Sequence, residues 1–205
     1  MRMVRYVKVK VKNSSRSGRG TIVNVKNDCH IIVGEYPFAD KLKEDVLPIL
    51  EKEPDAQKRE TNVKATMTDW HWGDNIPLVV NLQRYLLNEI PTPTVCGDGK
   101  FIRVSMSDFW GNVYHKNDYT QTHNHQPYYY SLVYFLKCKW YDSPLVFSDY
   151  GQKIRPKEGR YVIFPSSIFH HVPKHRYRDT RVTLSGNTKI SENIPIIRNG
   201  MVKYY

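Results

Sequence analysis

No stretch of this 205-residue chain stays apolar for the roughly 20 residues that a bilayer span requires, which argues against a membrane helix. Cysteine is scarce: Cys29, Cys96 and Cys138 are widely spaced and odd in number, which suits reduced thiols rather than a disulfide framework or a zinc ribbon. A phosphate-binding loop is missing too. CGDGK (96–100) has glycines and a lysine at the wrong spacing and reads as a hairpin turn. No G-x-S-x-G occurs, so a serine-hydrolase nucleophile is not indicated. The basic N-terminus lacks the apolar centre of a signal peptide, and the expectation is a cytoplasmic protein without a membrane partner. Internal repeats and long low-complexity tracts are also missing. What is plentiful is aromatic: 15 tyrosines, 7 phenylalanines and 4 tryptophans within a 40% hydrophobic composition exclude a disordered chain and suit one folded domain.

Charge is uneven. Eight of the eleven net positive charges precede the first acid, Asp28, and KNSSRSGRG within that stretch has the composition of a solvated linker. Residues 1–27 therefore read as a flexible basic arm, either solubilising or in contact with nucleic acid. The rest is only mildly basic, too little to require a DNA-binding role.

Periodicity divides the remainder. HIIVGEY (30–36) predicts a strand. FADKLKEDVLPILEKEP then spaces Phe38, Leu42, Val46, Ile49 and Leu50 as a helix, with Asp40 as cap, Pro48 as a kink and Pro54 as stop. IPLVVNLQRYLLNEIP (76–91) predicts a second helix with Pro77 in its first turn. From residue 100 the runs FIRVSMS, NVYH, YYYSLVYFLK, PLVFSDY, RYVIFP, FHHVP and RVTLSG are short and β-rich, separated by Gly, Pro, Asn and Asp. Helices followed by many strands predict an α+β protein with a jelly-roll or barrel C-terminal half.

Within THNHQPYYYSLVYFL, strand alternation puts His123 and His125 on one face, half of a metal site. PSSIFHHVP (165–173) supplies His170 and His171, one of which points inward, and His175 follows. In DTRVTLSGN, Arg181, Thr183, Ser185 and Asn187 share a face. An arginine facing a barrel interior is costly unless it meets an anion, and a carboxylate suits its bidentate fork. MTDWHWGDN adds Trp70, His71 and Trp72 beside a glycine turn, and SDFWGN adds Trp110, as pocket walls or core anchors.

Residues 100–190 resemble the iron(II)/2-oxoglutarate-dependent oxygenases, in particular the prolyl-hydroxylase-like branch and its phage-type or bacterial relatives, through THNHQPYYYSLVYFL and PLVFSDYGQKIRPKEGRYVIFPSSIFHHVPKHRYRDTRVTLSGN. The resemblance implies a double-stranded β-helix core over 100–190, supported by residues 28–99, in a single oxygenase domain spanning 28–205. It implies iron(II) held by His123 and His170, with 2-oxoglutarate held by Arg181. Tyr134, Thr183, Ser185 and Tyr114 are the further cosubstrate-binding candidates. His125 stands where the family usually has Asp or Glu and matches the His-x-His spelling of the phage-type branch; Asp118 or Asp149 is the other source of a third ligand. Implied with these are O2 as co-reactant, ascorbate as a supporting reductant, and hydroxylation of a C–H bond with release of succinate and CO2. The substrate would be a peptide, with a peptidyl proline leading, or a nucleic acid, in the cytoplasm of a bacterium or a phage-infected host. Two other classes fit parts of the pattern. A three-histidine zinc hydrolase or cupin-type dioxygenase leaves Arg181 unexplained, and a non-catalytic jelly roll leaves the joint placement of His123, His125, His170 and Arg181 to coincidence.

Overall fold

Two antiparallel sheets face each other, and two helices cover the outer side of the larger one in this computed structural model, which describes residues 5–9, 29–90 and 103–191. In chain order the elements are β1 (Arg5–Val9), β2 (Cys29–Glu35), α1 (Ala39–Leu50), β3 (Val63–Lys64), β4 (Thr66–Met67) and α2 (Pro77–Asn88). Next come β5 (Arg103–Tyr114), β6 (Tyr119–His123), β7 (Tyr130–Lys137), β8 (Leu145–Phe147), β9 (Gln152–Ile154), β10 (Arg160–Pro165), β11 (His170–Val172) and β12 (Arg181–Ser191). The seven-stranded sheet runs β1-β2-β10-β7-β12-β5-β4 and the five-stranded sheet β3-β6-β11-β8-β9, the expected jelly roll.

Alternation along the large sheet sorts its side chains between two cores. Ile32, Leu132, Tyr134, Leu136, Tyr161, Ile163, Val182 and Leu184 face outward and pack under Leu42, Val46 and Leu50 of α1 and Val79, Leu82 and Leu86 of α2. Ile31, Trp110, Tyr114, Phe135, Val162 and Phe164 face inward toward Phe147, Ile154 and Val172 of the small sheet. β7 and β10 sit centrally, buried on both faces, so their sequences are continuously apolar rather than alternating.

Two local expectations are corrected. The two runs expected between residues 100 and 115 are joined into one strand, β5, over Arg103–Tyr114, with Gly111 inside it beneath α1, where a Cβ would stand 2.2 Å from Leu50 Cδ1. Asp40 does not cap α1; Phe38 occupies that position without a side-chain hydrogen bond, and Asp40 lies in the first turn. Pro48 is accommodated near the end of α1, where the helix needs only two more residues. The arm expected over 1–27 is not free at residues 5–9, which pair with β2 as its edge strand; its other residues, like CGDGK and Cys96, lie outside the described residues. Cys138 is a buried free thiol, pushed up to about 12 by desolvation, and is chemically quiet. No helix among the described residues is long and apolar enough to cross a membrane.

Candidate metal and anion site

The three histidines converge. His123 ends β6 and lies directly across the small sheet from His170, which opens β11. His125 lies just past β6 rather than within a strand, so strand alternation does not place it. Its backbone N–H donates to the Ser166 carbonyl at 2.8 Å, and this bond holds the loop against the end of β10. One ligand atom from each ring lies within 4.8 Å of the other two, and the ring centroids are 4.4–5.1 Å apart.

Hydrogen bonds aim the rings. His123 Nδ1–H donates to the Gln121 carbonyl at 2.8 Å, and His170 Nδ1–H donates to the Ile168 carbonyl at 3.0 Å. Each bond selects the tautomer that leaves Nε2 bare toward the interior, the arrangement that orients metal-bound imidazoles. His123 Nε2 and His125 Nε2 are 3.1 Å apart. Without a cation, one must donate a proton to the other; with one, both lone pairs can point at it. Burial lowers the pKa of His123 against the opposing pull of the Gln121 carbonyl. Burial, then the neighbouring His123, takes His125 down to about 3, and burial with both neighbours takes His170 well below its usual value. All three rings are therefore neutral at neutral pH, as metal ligands must be.

The other candidates for a third ligand are engaged elsewhere. Asp118 accepts from Arg59 Nη1 and from the His115 backbone N–H, each at 2.8 Å, and holds the turn before β6. Asp149 is exposed in a turn. His171 faces away from the site, with Nδ1 2.9 Å from the Ser148 hydroxyl. His175 is fully buried but serves its own loop: its Nε2 lies 2.6 Å from the Asp179 carbonyl.

From the histidines a cavity runs between the sheets to Arg181. Arg181 is 1% exposed, and its Nε and Nη1 meet no hydrogen-bond partner among the described residues. What it does touch is aromatic: the guanidinium carbon lies 4.7 Å from the Tyr114 ring centre and 5.2 Å from that of Phe135. A buried cation with idle donors facing a cavity has the chemistry to receive an anion.

Between the two ends lie the expected hydroxyls and one residue that the sequence reading missed. Tyr114, Thr183 and Ser185 line the cavity, and the Tyr114 hydroxyl is 2.7 Å from that of Thr120. Asn112 is buried beside them, and its alternation with Trp110 and Tyr114 is the sequence signal that marks it. Trp110 Nε1–H donates to Asn112 Oδ1 at 3.1 Å, and Asn112 Nδ2 donates to Ser185 Oγ at 3.0 Å and, more weakly, to Thr183 Oγ1 at 3.4 Å. Both hydroxyls thus accept from the amide and keep their own protons for an acceptor in the cavity.

Tyr134 is not part of this site. It faces the helical layer, edge-on to Tyr36 with ring centres 6.1 Å apart, and β7 turns Val133 and Phe135 inward instead. Among the outer aromatics, Trp70 packs on Trp110 at 4.9 Å, and Trp110, which lines the cavity, lies 6.2 Å from the His125 ring. Trp72 packs against the helical core and His71 pairs with Asp74 at the surface.

Neither the protein-family models nor the curated proteins give a match to this chain. Solved structures do. A viral collagen prolyl hydroxylase of Paramecium bursaria Chlorella virus-1, as its 2-oxoglutarate complex, superimposes with a TM-score of 0.56 at 12% identity, covering 76% of this chain and 94% of its own. A Trichoplax adhaerens prolyl hydroxylase, with a hypoxia-inducible-factor oxygen degradation domain peptide, gives 0.57 at 14% identity, covering 78% and 83%. HygX of Streptomyces hygroscopicus, with nickel and 2-oxoglutarate bound, gives 0.56 at 8% identity, covering 78% and 82%. The chain therefore has the fold of the iron(II)/2-oxoglutarate oxygenases, and the resemblance read from the sequence holds in three dimensions.

Proposed function

We propose that this protein is an iron(II)- and 2-oxoglutarate-dependent dioxygenase that hydroxylates a C–H bond, with His123, His125 and His170 as its metal ligands. The observation that carries this reading is Arg181, a fully buried guanidinium with idle donors at one end of a cavity whose other end gathers three neutral imidazoles. A dicarboxylate answers both ends, with one carboxylate for the cation and the oxoacid group for the metal. The shared fold supports the same assignment.

The residues present fit these groups. Three imidazole nitrogens on one side leave open positions on an iron(II) ion, although the usual carboxylate is replaced by a neutral ring. Bound together, iron(II) and 2-oxoglutarate supply the oxidising chemistry, in which O2 and the oxoacid are converted to succinate, CO2 and a hydroxyl on the substrate carbon. The chain's part is placement. Arg181, whose guanidinium lies over the Tyr114 ring, would offer Nε and Nη1 to the distal carboxylate. Asn112 sets Thr183 and Ser185 as donors into the cavity. Leu145, Phe164 and Val172 line its walls and exclude water. No side chain needs to act as a general base.

A narrower reading takes a prolyl residue in a peptide as substrate, because two of the fold neighbours are prolyl hydroxylases. Succinate release stimulated by proline-containing peptides and absent with their alanine counterparts is its test. The reaction class itself is tested by anaerobic titration of metal-free protein with iron(II) and then 2-oxoglutarate. A visible charge-transfer band is expected after the second addition and not after the first. Iron binding without the band would assign the histidines to oxoacid-independent chemistry; no metal binding would make them structural.

A further inference from the structure

The end of the jelly roll away from the histidines carries a second feature, which the oxygenase reading does not use. Two loops meet there: residues 138–144, leaving β7 after Lys137, and residues 173–180, leading into β12 at Arg181. Trp140, in the first loop, is 74% exposed, and Tyr177, in the second, is 42% exposed. Tyr141 joins them, with its ring centre 5.7 Å from Trp140 and 4.4 Å from Tyr177. Lys139, Lys174, Arg176 and Arg178 are exposed around these rings, and none has a carboxylate within salt-bridge distance among the described residues. The acids in the two loops are Asp142, which is buried and accepts from the Lys139 N–H, and Asp179.

Packing does not require this surface, yet the protein holds it firmly. Ser143 Oγ–H donates to the Lys174 carbonyl at 3.0 Å and ties one loop to the other. The His175 backbone exchanges hydrogen bonds with the Asn117–Asp118 turn, both at 2.7 Å, while its buried ring closes on the Asp179 carbonyl at 2.6 Å. Lys174 Nζ lies 5.8 Å from the centre of the Tyr119 ring. Exposed rings on a fixed frame bind without a large ordering cost.

We infer that this surface binds single-stranded nucleic acid, with Trp140 and Tyr177 stacking on bases and Lys139, Lys174, Arg176 and Arg178 meeting phosphates. Charge and ring chemistry together select this partner. Unpaired cations select a polyanion, and open aromatic faces select a polyanion whose repeating units have flat π-surfaces. Duplex DNA hides those faces. An acidic peptide need not repeat them, and an anionic bilayer, though its headgroup region takes Trp and Tyr, also needs an apolar face that reaches the acyl chains, where these loops expose only Pro173 beside the rings. The inference does not depend on the metal site.

The test is fluorescence anisotropy of a labelled mixed-sequence 12-nucleotide single strand, as DNA and as RNA, titrated with the full chain from 50 to 300 mM salt. Trp140→Ala, at an exposed position, is expected to keep the wild-type melting temperature and weaken binding about tenfold without changing the salt slope, as loss of one stacked base does. Arg176→Ser with Arg178→Ser is expected to reduce the slope of log K against log salt by about 1.4, two single-strand phosphate contacts. Affinity unchanged in both variants would put nucleic-acid binding elsewhere, for example on the basic residues 1–27, and overturn the inference. So would a duplex of the same sequence, or heparin, binding as well as the single strand and indifferent to Trp140→Ala. Binding only to vesicles of phosphatidylcholine and phosphatidylserine would overturn it in favour of a membrane surface.

Discussion

Replacing Arg181 with methionine should move stability and ligand binding in opposite directions. The guanidinium is 1% exposed and leaves Nε and Nη1 without partners among the described residues. Each unsatisfied buried donor costs about 1–3 kcal/mol, so the two together cost about 2–6 kcal/mol before water entering the cavity returns part of it. The rings of Tyr114 and Phe135, 4.7 and 5.2 Å away, offset this by about 1–2 kcal/mol each. Methionine is of similar length, apolar and adaptable, and keeps contact with both rings. The ligand-free variant is therefore expected to be as stable as the wild type or about 1 kcal/mol more so, a rise in melting temperature of about 2–4 °C. Binding of 2-oxoglutarate should fall by about 2–5 kcal/mol, or from roughly thirtyfold to several thousandfold, because a buried carboxylate then has no cation. Iron(II) binding, which involves the other end of the cavity, should not change. Thermal denaturation without ligand, with iron(II), and with iron(II) plus 2-oxoglutarate reads all three quantities under anaerobic conditions. A variant that is destabilised yet still gains stability from 2-oxoglutarate would show that Arg181 is a structural cation and that the cosubstrate site has been misplaced.

His125→Asp should keep iron(II), because a carboxylate can take the third position, whereas His125→Ala should lose affinity by about two orders of magnitude or more, judged against the 10–100-fold cost of removing a mere supporting partner. Competition with a chromophoric chelator measures this, and equal iron retention in both variants would put His125 outside the ligand set. Acid should destabilise the metal-free protein. In the unfolded chain His123, His125 and His170 take up protons near pH 6.5, while in the folded chain burial holds all three pKa values lower. Protons therefore favour unfolding as the pH falls below about 6.5, by about 1.4 kcal/mol per pH unit for each histidine until its folded pKa is reached. Urea titrations at pH 7.5, 6.5 and 5.5 should show this slope in metal-free wild type and a shallower one in His125→Gln; identical slopes would refute the assigned burial. Gly111→Ala should cost about 1–3 kcal/mol by forcing Leu50 off β5, and combining it with Leu50→Ala should cost less than the two single changes together. Strict additivity in that cycle would mean that α1 does not press on Gly111.

How far the sequence could be read depended on how each strand is buried. β12 betrays its inner face because Arg181, Thr183 and Ser185 alternate with Val182 and Leu184, and polar against apolar is a pattern a reader can use. The same logic reaches Asn112, which alternates with Trp110 and Tyr114 on β5, so the chain marks this residue as well. β7 gives no such sign. It lies between the helical layer and the inter-sheet core, both faces are apolar, and YYYSLVYFLK cannot say whether Tyr134 or Phe135 looks inward. That choice is made by non-local pairing. Thr183 stands opposite Phe135 and Leu184 opposite Tyr134, so Phe135 shares the inner face of β12 and Tyr134 the outer one. His125 shows the converse. Alternation assigned it the right side for the wrong reason, since it has left the strand and is held by the Ser166 carbonyl. A ligand pattern in sequence thus marks which residue types must meet. Register and loop hydrogen bonds, written in distant segments, decide which neighbouring aromatic shares the cavity with them.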